Sequence, residues 1–64
     1  HELLSERELA VMMKLVSGMS ITEIATEWAV SPNTVSTYRS RILQKMDLKT
    51  NADMIFYAVK NALV

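Results

Sequence analysis

Short hydrogen-bonding side chains line one face of a helix that is predicted in the middle of the chain. When residues 33–46 are wound at about 100° per residue, one side is apolar and carries Val35, Tyr38, Ile42 and Met46. The opposite side carries only neutral polar residues, namely Asn33, Ser36, Thr37, Ser40 and Gln44. Such residues form helices poorly because they compete for backbone hydrogen bonds. Their chemistry suits hydrogen bonding to base edges in the major groove of a duplex.

Positive charge is concentrated in the same part of the chain, although the net charge is zero. Residues 31–50 hold four basic residues and one acidic residue, whereas residues 1–30 hold two basic and five acidic residues. Arg41 and Lys45 flank the polar face, so we predict that they contact phosphates. Arg39 lies nearer the opposite edge and is predicted to reach the DNA backbone or to pair with an acid of another helix.

Helix-capping signals divide the chain into four predicted helices, so the fold class is all-α. Ser5 with Glu8 and Ser20 with Glu23 form capping boxes, and Thr50 with Asp53 is an acidic variant. Ser31 caps a helix whose first residue is Pro32.

The predicted helices run from Ser5 to Gly18, from Ile21 to about Ala29, from Pro32 to about Met46, and from Asn51 to about Leu63. Leu9, Met12, Met13 and Val16 are the predicted apolar positions of the first helix.

The second and third predicted helices are separated by only three or four residues, a spacing that favours a helix-turn-helix. The free N–H groups at the start of the second helix, near Ser20 and Thr22, form a candidate phosphate site. The candidate phosphate contacts are completed by Ser31, Thr34 and Tyr38.

The last helix carries two apolar stripes about 100° apart, more than docking on a small core requires. One stripe consists of Ala52, Phe56, Val59 and Leu63, and the other of Met54, Ile55, Ala58 and Ala62. An apolar stripe left in water usually marks an interface. The alternative is that both stripes serve the core.

The composition argues against several other classes of protein. The chain has no cysteine, and its single histidine is His1, so no catalytic, metal or cofactor site is predicted. No apolar run is long enough to cross a membrane. The 64 residues are expected to form one domain, 1–64, taken from a longer cytoplasmic protein.

Five short motifs resemble the DNA-binding domain of the LuxR/NarL family. They are LSERE from Leu4, Gly18, EIA from Glu23, SPNTVSTY from Ser31 and RILQKM from Arg41, and they cover nearly the whole chain. The TVSTY run is similar to that of BvgA- and GacA-like response regulators. Trp28 departs from the leucine common in the family and is interpreted as a larger core residue.

The resemblance implies a four-helix output domain of a two-component transcription regulator. It implies base contacts at positions matching Asn33, Ser36, Thr37 and Ser40. It also implies a homodimer through Ala52, Phe56, Val59 and Leu63, RNA polymerase as a further partner, and an upstream receiver domain. The alternatives are a quorum-sensing type of upstream domain, a helical protein–protein module and a promoter-reading region of a sigma factor.

Overall fold

Four helices form the part of the chain that the structure, a computed structural model, describes, which is residues 3–62. They are α1 (Glu6–Val16), α2 (Ile21–Trp28), α3 (Pro32–Lys45) and α4 (Asn51–Lys60). No strand occurs within residues 3–62. The predicted all-α, four-helix fold is confirmed.

The helices begin where the caps predict. Ser5, Ser20 and Thr50 each accept a hydrogen bond from the backbone N–H three residues on, and each of these three boxes is reciprocal. Ser31 caps α3, and Pro32 follows as its first residue. After α1, Gly18 takes a φ of 106°, a conformation that favours glycine. α4 ends at Lys60, earlier than predicted, and Leu63 lies outside the described residues.

Helix α3 packs against α1 and α2, and α4 packs against α1. Nine apolar side chains from all four helices form the core: Val11, Met12, Leu15, Ile24, Ala25, Val35, Ile42, Met54 and Ala58. The predicted apolar side of α3 is correct, because Val35 and Ile42 are buried and Tyr38 and Met46 pack against the core. On α1, Val11, Met12 and Leu15 are buried, whereas Leu9, Met13 and Val16 are half-buried, so the predicted face was rotated from the observed one.

Two side-chain contacts tie α1 to α2 around this core. Lys14 Nζ lies 2.7 Å from Glu27 Oε1. The guanidinium of Arg7 lies 4.8 Å from the ring centroid of Trp28, within the range of a cation–π contact. Trp28 is half-buried and packs against the core, in agreement with its interpretation as a larger core residue. These two contacts hold α2, the helix that precedes α3, against α1.

Candidate nucleic-acid interface

The neutral polar side chains of α3 form an exposed surface, called here the reading face. Its members are Asn33, Ser36, Thr37, Ser40 and Gln44, and all five are exposed. On the other side of the same helix, Val35 and Ile42 are 0% exposed. Burial of that apolar side determines which side of α3 is turned outward. The structure therefore brings together the four predicted base-contacting residues on one accessible surface.

The N-terminus of α3 differs electrostatically from the N-termini of the other three helices. The first turns of α1, α2 and α4 each contain an acidic residue, but the first turn of α3 contains none. Ser31 Oγ instead accepts the Thr34 N–H at 3.3 Å and lies 3.1 Å from Thr34 Oγ1. The positive end of the α3 dipole is therefore not offset by a carboxylate in its own first turn, which favours an approaching phosphate.

Hydrogen bonding within the reading face leaves some groups available and commits others. The hydroxyl of Thr37 donates to the backbone carbonyl of Asn33 at 2.9 Å. Within residues 3–62, the side chains of Asn33, Ser36 and Ser40 make no hydrogen bond. The Gln44 side chain is likewise without a hydrogen bond among these residues, so an incoming base edge would meet two free carboxamides and two free hydroxyls.

The basic residues of α3 are in different situations. Arg41 is exposed, and its side chain has no partner among the described residues. Arg39 Nε donates to Asn51 Oδ1 at 2.7 Å, so the predicted acidic partner is replaced by an amide at the start of α4. Lys45 Nζ lies 2.7 Å from Glu8 Oε1. The phosphate contact of Lys45 stays a prediction, and the ammonium group of this residue already has one carboxylate partner.

Glu8 was predicted from the sequence only as part of the capping box of α1, but its carboxylate also binds Lys45 of α3. Its side chain is 4% exposed, and the same Oε1 that binds Lys45 also accepts the Ser5 N–H at 2.8 Å. The hydrogen bonds from Lys45 and from the Ser5 backbone lower the pKa of Glu8 below its usual value. The partners are 37 positions apart, so no local sequence pattern could have indicated this pair.

The start of α2 is less open to phosphate than the sequence suggested. Ser20 Oγ accepts the Glu23 N–H at 3.1 Å, and the Glu23 carboxylate accepts the Ser20 N–H at 2.9 Å. This acid lies where a phosphate would approach. Thr22 is exposed, and Tyr38 on α3 is half-buried against the core. All three predicted phosphate contacts, Ser20, Thr22 and Tyr38, stay predictions.

Helix α4 presents a second, apolar surface, called here the α4 patch. Phe56 is 68% exposed, Val59 62% and Ile55 43%, and Ala52 is also exposed. Met54 and Ala58 are buried and dock α4 on the core, and the half-buried Tyr57 packs against it as well. Ile55 and Ala62, assigned in the sequence to the same stripe as Met54 and Ala58, face outward instead.

No cluster of three metal-ligating side chains occurs within residues 3–62. None of the four helices is long and apolar enough to cross a membrane.

Similarity to a known protein family extends over most of the described residues. The family described as bacterial regulatory proteins, luxR family, matches residues 2–58. The chain belongs to this luxR family. The resemblance and the helix-turn-helix class are thereby confirmed, and the assignment is to a family of regulators and not to an enzyme family.

The similar proteins are response regulators and transcription regulators. The chain is 33% identical over 63 residues to the response regulator GacA of Pseudomonas viridiflava. It is 33% identical over 60 residues to the response regulator UvrY of Escherichia coli K12. It is 43% identical over 60 residues to BvgA, a transcription regulator of virulence factors in Bordetella pertussis. These alignments cover 94–98% of this chain but only 28–29% of each relative.

Proposed function

We propose that this luxR-family domain binds double-stranded DNA sequence-specifically by placing the reading face of α3 in the major groove. The observation that carries the proposal is the contrast between the two sides of α3. Val35 and Ile42 are completely buried, while the neutral, groove-compatible side chains opposite them are all exposed. Direct base contacts are assigned to Asn33, Ser36, Thr37 and Ser40.

Phosphate contacts on both sides of the groove would hold α3 in register. Arg41 is the strongest candidate, because its guanidinium is exposed and has no partner within residues 3–62. Ser31 and Thr34 lie at the helix N-terminus that lacks an acid. The remaining assignments, made from the sequence, are Ser20, Thr22, Tyr38 and Lys45.

Two copies of the domain would bind together through the α4 patch. Exposed apolar surface of this kind is characteristic of interfaces, and a two-fold pair would match a repeated half-site in the DNA. Ala52, Phe56 and Val59 are the proposed contacts, joined by Leu63 outside the described residues. A contact with RNA polymerase is a further proposal that follows from the family.

The whole protein is proposed to be a two-component response regulator that acts in the cytoplasm, where bacterial DNA lies. This rests on GacA and UvrY, which are response regulators. The part of the relatives that this chain does not cover would include the phosphorylated receiver domain.

A Thr37→Glu substitution tests the reading face directly. It places a carboxylate among the base and phosphate groups, so we expect specific binding in a fluorescence anisotropy titration to be lost. The circular dichroism spectrum should remain helical because Thr37 is exposed. Thr26 is a matched control, since its hydroxyl makes the same bond to the carbonyl four residues back on α2, at 3.0 Å. Unchanged binding by Thr37→Glu, or equal loss with Thr26→Glu, would contradict the assignment.

A further inference from the structure

The hydrogen bond of Thr37 limits what this residue can recognise. Because its hydroxyl proton is donated to the Asn33 carbonyl at 2.9 Å, the oxygen is left as an acceptor and the γ-methyl group as an apolar contact. In the major groove, an A·T pair presents both an amine donor at adenine N6 and the C5-methyl of thymine. A G·C pair presents an amine but no methyl. Thr37 therefore matches A·T better than G·C.

The carboxamide of Asn33 has the same preference. It is exposed and makes no hydrogen bond within the described residues, so its oxygen and its NH₂ group are both available. An asparagine carboxamide pairs in a bidentate manner with adenine N6 and N7. Asn33 and Thr37 are one helical turn apart on the reading face, so they would meet neighbouring base pairs.

Guanine lacks its usual partner on this face. The common specific contact to guanine comes from arginine or lysine, and the five residues of the reading face are uncharged. Arg39 is held by Asn51 and Lys45 by Glu8, each at 2.7 Å. Arg41 is unpaired among the described residues, but it lies at the edge of the face, one position beyond Ser40.

We propose that α3 selects an A·T-rich half-site, with Asn33 on adenine and Thr37 against a thymine methyl, and without a required guanine opposite these residues. This inference rests on the proposed function and names the base composition that the reading face takes. Ser36 and Ser40 have free hydroxyls that both donate and accept, so they tolerate several bases.

Selection from randomised duplexes with the full chain gives the half-site, and two measurements on it then test the inference. Replacing the contacted thymine by deoxyuridine removes only the C5-methyl. We expect about a fourfold loss of affinity, the equivalent of one methyl group returned to water. Thr37→Ser keeps the hydroxyl and removes the protein methyl, so this variant should bind the thymine and deoxyuridine duplexes equally.

Thr26→Ser is the matched control, because it removes a methyl from an exposed threonine on α2 whose hydroxyl makes the same bond to the carbonyl four residues back, and it should retain the fourfold discrimination. Asn33→Ala should relax the preference for adenine at one position. The inference is overturned if the position relaxed by Asn33→Ala prefers guanine, or if Thr37→Ser still discriminates thymine from deoxyuridine. In either case the DNA-binding function itself would stand, whereas failure to enrich any duplex would overturn both.

Discussion

Glu8 connects the N-terminus of α1 to the C-terminal end of α3 through one carboxylate. Its Oε1 accepts the Ser5 N–H at 2.8 Å and the Lys45 ammonium at 2.7 Å. Both bonds are stronger when the carboxylate is ionised, which is why the pKa of Glu8 is lowered. The charge state of this residue is therefore coupled to folding.

The stability of the domain should fall in acid through Glu8. Because the folded-state pKa lies below the unfolded value, the stabilisation is complete above the usual pKa of 4.5 and is lost as the pH falls through the lowered value. Glu8→Gln cannot gain or lose this charge. Thermal melts should therefore show wild type more stable than Glu8→Gln near neutral pH, with the difference shrinking below about pH 4.5. A difference in melting temperature that is the same at all pH values would contradict this role.

Ala29 has an unfavourable backbone conformation in the turn between α2 and α3. Its φ of 55° and ψ of 42° are left-handed, a region that a Cβ atom disfavours and glycine does not. We expect Ala29→Gly to raise the free energy of unfolding by about 0.5–1 kcal/mol, or the melting temperature by a few degrees. The control is Ala10→Gly inside α1, which should lower stability by about 1 kcal/mol. A loss of stability in both variants would show that Ala29 is not strained.

At the scale of the helices, the sequence predicted what is local and missed what depends on packing. The starts of all four helices follow from side chains that bond their own first turn, such as Ser5 with Glu8, and these signals lie within four residues. The inner side of α3 was also predicted, because its apolar and polar residues separate cleanly. The face of α1 was less predictable, since Leu9 and Val16 are as apolar as the buried Val11, and only the positions of α3 and α4 decide among them.

The reading face shows the same difference between what local sequence predicts and what depends on packing. Its residues were predicted from their spacing on one helix, whereas the partners of Arg39 and Lys45 come from α4 and α1. A count of basic residues therefore overstates the charge that is free to meet a duplex.

Arg41 and Lys45 should respond differently when each is changed to glutamine. If Arg41 contacts a phosphate, Arg41→Gln should reduce the slope of log affinity against log salt by about 0.9, with little effect on stability. Lys45→Gln should destabilise the domain by about 1 kcal/mol because it weakens the hydrogen bonding of a buried carboxylate. Titrations at several salt concentrations and thermal melts measure both quantities. An unchanged slope for Arg41→Gln would remove Arg41 from the interface, and a reduced slope for Lys45→Gln would show that Lys45 contacts a phosphate despite its bond to Glu8 in the free domain.

At the scale of the molecule, the size of the domain suits a paired arrangement on DNA. Its principal extents are 31 × 20 × 19 Å, and successive major grooves on one side of a duplex are about 34 Å apart. The α4 patch and the reading face are separate surfaces, so pairing through one leaves the other free. If two domains pair through the α4 patch, both copies of α3 therefore stay available for the duplex.

Phe56→Lys should separate these two functions. Phe56 is the most exposed large apolar residue of the α4 patch at 68%, and a lysine there would place like charges at a two-fold interface. We expect self-association in sedimentation equilibrium to disappear and binding to a duplex with two half-sites to lose its cooperativity, while affinity for a single half-site is kept. Leu3→Lys is the matched control, since Leu3 is 70% exposed and lies outside α4. If both variants, or neither, reduce cooperativity, the pairing is not made through the α4 patch.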